Sequence, residues 1–222
     1  MDFKQPSILH KFLRNVQDYG WLTAIAKALV YILSPFYEHR VYRLYRIKTQ
    51  QRLSIPPATI SDIRFALLHE NDADAIEQIE YQAEWLRGTV QSRIKAGDFC
   101  VVALHKDKVA GFNLIAFGNV SIPLLRTERT FRRGMAWSDH INVHKDYRKQ
   151  GLGSELRRRV LDELDKRGVK KLYGGTLRSN LGSLKLARRV GFQEIADVEY
   201  SKIITNKRWR IKRLRRQTRS VT

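Results

Sequence analysis

The chain has 222 residues, 43% of them hydrophobic, which is enough apolar material for a folded core and excludes an intrinsically disordered protein. The formal net charge is +20, and the two ends are strongly basic, with +6 on residues 1–52 and +8 on residues 206–222. The single cysteine, Cys100, excludes an intramolecular disulfide, and no Cys/His cluster has the spacing of a structural zinc site.

The basic ends favour anionic partners, which include nucleic acid, anionic lipid and a negatively charged substrate. In residues 206–219 the basic side chains alternate with Trp209, Ile211 and Leu214, which predicts an amphipathic edge strand followed by a solvated basic tail. Charge alone does not choose among the partners, so both nucleic acid and lipid stay open.

The apolar segment at residues 21–37 raises a membrane question. Lys27 and Pro35 interrupt it, and it is shorter than the roughly 20 residues that a spanning helix needs. Three interpretations stay open: a core or docking helix, a helix lying on a membrane surface, and a span. We expect a cytoplasmic protein, with peripheral contact of residues 1–52 to the inner membrane surface as an open alternative.

Two consecutive prolines within residues 54–61 predict a linker. We therefore divide the chain into an N-terminal helical, basic extension (residues 1–53), the linker, one folded domain (residues 62–214) and a basic tail (residues 215–222). Oligomeric state does not follow from the sequence.

Hydrophobic periodicity predicts the elements of the folded domain in chain order. We expect a strand at 63–67, helices at 71–85 and 88–96, a hairpin at 99–104 and 109–117, an arginine-rich loop at 118–134, a strand at 136–143, a helix at 151–167, a strand at 170–177, a helix at 180–190, and a closing hairpin at 192–204 and 207–214. This order predicts a mixed α/β (α+β) domain with one central sheet.

The segment 148–153 predicts an anion-binding loop at the start of a helix. Gly151 and Gly153 let the backbone approach a ligand closely, and the first N–H groups of a helix have no internal partner. A pyrophosphate can satisfy those groups, and Arg148 and Lys149 add positive charge. The loop matches neither a Rossmann nor a Walker pattern, and a tight turn without a ligand is the alternative.

At this block the chain resembles the GNAT superfamily (GCN5-related N-acetyltransferases) over residues 61–204. The family's acetyl-CoA loop reads Arg/Gln-x-x-Gly-x-Gly/Ala, and a strand, an Asn and a helix ending in Gly-Phe follow it. The corresponding residues here are Arg148-Lys149-Gln150-Gly151-Leu152-Gly153, Asn180 and Gly191-Phe192. The resemblance implies a GNAT-type, largely antiparallel central sheet flanked by helices. It also implies direct transfer of an acetyl group from acetyl-CoA, as co-substrate and without a metal, to an amine acceptor.

The resemblance also implies roles for individual residues. The backbone of Ile141 and Val143 would bind the pantetheine arm, and the Ile141 N–H would meet the developing oxyanion. Asn180 would contact pantetheine or fix the next loop, and a helix N-cap is equally consistent with it. The backbone amides of the loop, which includes Lys149, Gln150, Gly151, Leu152, Gly153 and Ser154, would hold the pyrophosphate.

The resemblance implies Asp139 as the candidate general base, because an amine is mostly protonated near neutral pH and its proton needs an acceptor. His140 and His144 are the alternative bases. Strand alternation puts Asp139 on one face with Ile141 and predicts that His140 faces the other way. The alternative is a structural ion pair between Asp139 and an arginine of residues 118–134. Those arginines also hint at an anionic acceptor.

The chain departs from the family at Ala187, where many members have a tyrosine that protonates the leaving thiolate. The usual acid for the leaving thiolate is therefore absent at this position. The second hypothesis is therefore a catalytically weak or inactive GNAT-fold binding protein acting at an anionic surface, which would be a membrane or a nucleic acid.

Overall fold

The computed structural model describes residues 21, 22, 25, 36–51 and 57–214. Its strands are β1 (Tyr37–Lys48), β2 (Ile63–Leu67), β3 (Phe99–His105), β4 (Lys108–Ala116), β5 (Gly118–Ile122), β6 (Thr127–Phe131), β7 (Met135–Val143), β8 (Lys171–Leu177), β9 (Gln193–Ile203) and β10 (Asn206–Arg213). Its helices are α1 (Ala73–Gln82), α2 (Val90–Lys95), α3 (Leu152–Lys166) and α4 (Leu181–Arg189). Short 3-10 turns lie at Glu84–Leu86, Pro123–Leu125 and Lys145–Tyr147.

Eight of these strands form one sheet in the order β10-β9-β1-β8-β7-β4-β3-β2, and β5 pairs with β6 separately. β7 and β8 are parallel, whereas β1 with β8, β2 with β3, β3 with β4 and β4 with β7 are antiparallel. The prediction of a mixed, largely antiparallel central sheet flanked by helices is confirmed.

The helices cover both faces of this sheet because its central strands are apolar on both sides. On β3, Val101 and Ala103 join a core cluster with α3, whereas Cys100 and Val102 join a second cluster with α1 and α2. This two-residue alternation along one strand separates the two hydrophobic layers. The apolar side of α3 is buried at Leu152, Leu156, Val160, Leu161 and Leu164.

The chain divides into two compact units. One contains the described residues up to Arg40 together with Glu199–Arg210. Within it, the rings of Tyr200 and Trp209 lie 5.5 Å apart. The other contains residues 41–198 and 211–214 of the described chain, and with them the loop of residues 148–153.

The assignment of residues 37–48 to a helical extension is wrong, because they form β1. Val41, Tyr42, Tyr45 and Ile47 are residue types that favour strands. β1 pairs with β8 from Tyr42 opposite Leu177 to Lys48 opposite Lys171, and local periodicity does not reveal a partner so distant in sequence.

The expectation of an irregular loop at 118–134 is also wrong. Residues 118–131 form a β-hairpin in which Gly118 pairs with Phe131 and Ile122 pairs with Thr127. The turn between β5 and β6 begins at Pro123 and ends at Arg126, which has a left-handed backbone. The apolar alternation of β5 is limited to Val120 and Ile122, and β6 is mostly polar, so the pattern is too short to identify the strands.

Three expectations fall wholly or partly outside the described residues. Of the apolar segment 21–37, the structure describes Trp21, Leu22 and Ile25, which are helical, together with Phe36 and Tyr37. Of the linker, residues 57–61 are described and have no regular structure, and the tail from residue 215 lies outside. Among the helices that are described, none is long and apolar enough to cross a membrane.

Candidate active site

The site is built around an opening between the two parallel strands of the sheet. β7 and β8 pair only from Met135–Ser138 to Lys171–Gly174, although both strands continue beyond those residues. A cavity of about 1040 Å³ adjoins the point of separation, lined by residues 137–141 on one side and Gly175 and Thr176 on the other. The separation therefore exposes strand backbone that would be paired in a continuous sheet.

The pairing of β4 with β7 determines which backbone groups face this opening. The N–H of His144 donates to the carbonyl of Ala110 at 2.9 Å, so His144 and alternate residues before it bond toward β4. Ile141 and Val143 lie between them and direct their N–H and C=O groups toward the opening. The Val143 carbonyl accepts a hydrogen bond from Nε of Arg148 at 3.0 Å, which leaves the Val143 N–H and both backbone groups of Ile141 facing the opening.

The predicted anion-binding loop has the backbone geometry that such a site requires. Gly151 caps the N-terminus of α3 with a φ of 84°, and Lys149 also has a positive φ, of 64°. Within the described chain, the N–H groups of residues 149–153 donate to no protein acceptor. The Ser154 N–H differs, because it donates to the Gly151 carbonyl at 3.0 Å. Five consecutive free donors beside two cationic residues fit a pyrophosphate.

The end of the linker packs directly against this loop. The N–H of Thr59 donates to the carbonyl of Gln150 at 3.1 Å. A Cβ added to Gly151 would lie 3.2 Å from the Cα of Ala58. Because the C=O and N–H of one trans peptide point in opposite directions, this bond turns the Gly151 N–H away from the linker. The linker thus orients the loop's donors.

Asn180 caps a helix, as one of the two interpretations predicted. Its Oδ1 accepts the Ser183 N–H at 3.1 Å at the start of α4, and both residues line the cavity. The side-chain amide N–H₂ group of Asn180 donates to no acceptor within the described residues.

A β-bulge determines which side chains of β7 enter the cavity. Leu114 of β4 pairs with His140, but the next residue, Ile115, pairs with Ser138, so Asp139 is the extra residue. Simple alternation is broken there, and Asp139 and His140 both line the cavity. The expectation that His140 faces the other way is therefore wrong, because the bulge shifts the phase of the strand by one residue.

Asp139 belongs to a buried charge cluster, and its partner comes from an unexpected element. Nη1 of Arg93, in α2, donates to Oδ2 of Asp139 at 2.6 Å, and the same arginine pairs with Asp98 at 2.8 Å. The predicted partner, an arginine of residues 118–134, is thus replaced by Arg93. Oδ1 of Asp139 accepts no hydrogen bond from the described residues and remains open to the cavity.

His140 is held in its neutral form. The indole N–H of Trp85 donates to Nδ1 of His140 at 3.2 Å, so the ring proton lies on Nε2, which is 3.3 Å from Oδ2 of Asp139. Burial lowers the pKa of His140, and Arg93 adds to this effect while Asp139 opposes it. Nδ1 therefore serves as an acceptor, and Nε2 lies beside the carboxylate of Asp139.

Sequence reasoning missed Arg93, Trp85 and Arg157, all of which line the cavity. Arg157 had a visible signal, because it lies four residues before Leu161 on the apolar side of α3, where an arginine is out of place. Arg93 and Trp85 had no such signal, since each is an ordinary polar or aromatic residue in a short helical segment. Where the chain is described, no group of three or more His, Cys, Asp or Glu is placed to hold a metal ion.

The fold and this cleft define an acyltransferase domain. A model of the Acetyltransferase (GNAT) family matches residues 64–192, which is more than half of the chain. The chain belongs to the GNAT family of acetyltransferases.

One group of curated relatives matches a shorter segment. The [ribosomal protein bS18]-alanine N-acetyltransferase of Escherichia coli (strain K12) is 42% identical to this chain over 55 residues. That match spans 25% of this chain and 37% of the relative's length. The corresponding protein of Shigella flexneri matches in the same way.

Solved structures share the fold over most of the chain. A GCN5-related N-acetyltransferase from Sphaerobacter thermophilus has a TM-score of 0.54 at 20% identity, covering 82% of this chain and 57% of its own. A GCN5-related N-acetyltransferase-like protein from Streptococcus suis has a TM-score of 0.53 at 14% identity, covering 87% and 69%. At these identities the likeness concerns the fold.

Proposed function

We propose that this protein is an N-acetyltransferase that transfers an acetyl group from acetyl-CoA directly to an amine. The observation that carries the proposal is the separation of β7 from β8 beside a loop with five free N–H donors. The N–H groups of residues 149–153 hold the pyrophosphate. The backbone of Ile141 binds the pantetheine arm and stabilises the oxyanion. The bound acetyl-CoA supplies an activated acyl group as a thioester.

Asp139 accepts the proton of the amine through Oδ1. The carboxylate lines the cavity, and Oδ2 is already held by Arg93 at 2.6 Å. Arg93 fixes the orientation of the side chain, so that Oδ1 faces the space that the acceptor enters. A fixed acceptor within reach of the amine is the requirement for general base catalysis.

The acid step uses no tyrosine at its usual place in the family. Ala187 is buried in the core cluster around α3 and β8. The proton for the leaving sulfur therefore comes from solvent in the open cavity. A thiolate is a tolerable leaving group, so the reaction does not depend on a dedicated acid.

The acceptor is an amine, and the name of the E. coli relative suggests the α-amino group of an alanine as one candidate. The match covers a quarter of this chain, so the acceptor panel must be broader than peptides. Small amines, amino sugars and peptides with an N-terminal alanine form a suitable panel.

The test is the release of free CoA thiol from acetyl-CoA with this panel. We expect turnover by the wild type with at least one amine, and a loss of about 100-fold or more in kcat/KM for Asp139→Asn. Asp98→Asn is the matched control, because Asp98 also pairs with Arg93 but its Oδ1 already accepts the Phe117 N–H at 3.3 Å. Equal losses in the two variants would show that Asp139 is structural.

The second candidate is a GNAT-fold binding protein without turnover that acts at an anionic surface. The observation in its favour is β10, in which every residue is exposed and five of eight are Lys or Arg. Tight CoA binding without thiol release across the whole panel would favour this candidate. Co-sedimentation with vesicles of anionic and neutral lipid then tests a membrane as that surface, and equal soluble fractions with both lipids would exclude the membrane.

A further inference from the structure

The cavity contains a buried arginine that the proposed chemistry does not use. Arg157 lies in α3, is 2% exposed and lines the cavity beside the point where β7 and β8 separate. Its neighbours in the helix differ from it, because Arg158 and Arg159 both pair with Glu155. No carboxylate among the described residues pairs with Arg157.

The contacts of Arg157 are all with neutral groups. Nη1 donates to the hydroxyl oxygen of Ser138, and the Phe192 ring centre lies 5.3 Å away. Tyr45 is a further neutral neighbour, and its hydroxyl donates to the Gly175 carbonyl at 3.4 Å. Nε is buried and has no hydrogen-bond partner in the described structure. The charge is therefore only partly compensated.

Burying a guanidinium without a carboxylate partner destabilises the folded state, so such a residue is expected to have a function. A buried charge without an opposite charge loses its hydration, and each unpaired donor destabilises the folded state further. Burial lowers the pKa of Arg157, whereas Tyr45 and Tyr42 raise it. A guanidinium keeps its proton under these conditions, so the cavity retains a positive charge.

Two tyrosines from β1 complete the surroundings of Arg157. Their rings lie against Gly174 and Gly175 of β8, where any Cβ would collide with them. Tyr42 lines the cavity, and burial raises its pKa, so its hydroxyl keeps its proton and can donate a hydrogen bond. A cation beside a hydroxyl donor in a cavity has the chemistry of a carboxylate-binding site.

We propose that Arg157 and Tyr42 form a subsite that binds a carboxylate group of the substrate. The subsite deepens the proposed acyl transfer and rests on it, because its ligand enters the same cavity. The carboxylate has two possible sources. It belongs either to the acyl group of the thioester, as in a dicarboxylic acyl-CoA, or to the amine acceptor, as in an amino acid.

Calorimetric titration of the full chain distinguishes the two sources. The first arm compares succinyl-CoA with butyryl-CoA, which differ in the terminal carboxylate. The second arm titrates the CoA-saturated protein with ω-amino acids from glycine to 5-aminopentanoate, each against its amide. We expect the carboxylate member to bind about 10-fold more tightly in one arm, as for a hydrogen-bonded charge pair.

Variants test whether the preference for the carboxylate ligand depends on Arg157. Arg157→Met should abolish it, and Arg159→Met, on the same helix but exposed, should leave it intact. The melting temperature of Arg157→Met should equal or exceed that of the wild type, because no buried carboxylate is left unpaired. If Arg157 only stabilised the fold, its replacement would instead lower the melting temperature. If Arg157→Met does not fold, two measurements still test the subsite. One is the carboxylate preference of the wild type, and the other is Tyr42→Phe, which should weaken that preference.

The results of these titrations distinguish a failure of the subsite from a failure of the proposed function. Binding of CoA without a carboxylate preference in either arm, or a preference that survives in Arg157→Met, overturns the subsite alone. If neither CoA nor a thioester binds, the proposed function fails as well.

Discussion

The loop at residues 148–153 and the charge cluster around Asp139 differ in how they present polar groups. The loop uses backbone N–H groups from one contiguous segment, and none of its donors depends on a side chain. The cluster uses the side chains of Arg93, Asp98, Asp139 and His140, which come from α2, β7 and the segment between α2 and β3.

This difference determines how each region should respond to substitution. A backbone site tolerates changes of side chain and fails when the peptide geometry changes. A buried side-chain cluster fails when one member is removed, because the remaining charges lose their compensation. Substitutions in each region test this difference, and they are taken in order of decreasing expected effect.

Arg93→Met should have the largest effect on stability. It leaves the carboxylates of Asp98 and Asp139 without their shared counter-ion, and breaking a buried pair in this way costs about 3 kcal/mol. Arg64→Met is the control, because its pair with Asp107 is exposed and 3.6 Å long. Urea unfolding measures both, and an Arg93→Met variant as stable as the control would show that the cluster is not a unit.

Gly151→Ala should weaken CoA binding about 10-fold, since the added Cβ disfavours a φ of 84° and lies 3.2 Å from the Cα of Ala58. Gly168→Ala is the matched control, because it has a φ of 72° and no atom within 4 Å of the added Cβ. Both variants should lose about 1 kcal/mol of stability. Calorimetry should show weaker CoA binding for Gly151→Ala alone, and parallel losses would contradict a specific role of the loop.

Thr59→Pro should lower CoA affinity by a few-fold, because proline removes the N–H that holds the Gln150 carbonyl at 3.1 Å. Thr59→Ala keeps that N–H and should bind CoA like the wild type. Both variants lack the threonine side chain, and they differ in the backbone N–H at residue 59. Comparing them therefore tests the effect of that one backbone hydrogen bond on the loop. Equal affinities of the two variants would mean that the linker does not orient the loop.

The position and conformation of the loop at residues 148–153 were predictable from the sequence, because the residues that determine them are close together in the chain. Gly151 and Gly153 follow a strand and open a helix, and each of those features is visible within a few residues. The sheet and its flanking helices were also predictable, since their apolar periodicity is local too. The helix α3, for instance, shows its buried side in the spacing of Leu152, Leu156 and Val160.

The rest of the site depends on contacts between segments far apart in the sequence. β1 was assigned to a helical extension because its partner, β8, begins at Lys171. The partner of Asp139 lies 46 residues earlier, at Arg93, and the bulge at Asp139 arises from its pairing with β4. Such pairings leave no periodic signal in one sequence.

The smallest expected effect concerns pH and the orientation of Asp139. Burial lowers the pKa of His140, so the unfolded chain binds a proton there more readily than the folded one. Stability is therefore full above the ordinary histidine pKa and falls as pH decreases toward the lowered value. His140→Gln should reduce the decrease in melting temperature between pH 7.5 and pH 5 by a few degrees. His69→Gln, at an exposed site, should not, and equal slopes in both variants would show that His140 is not held neutral.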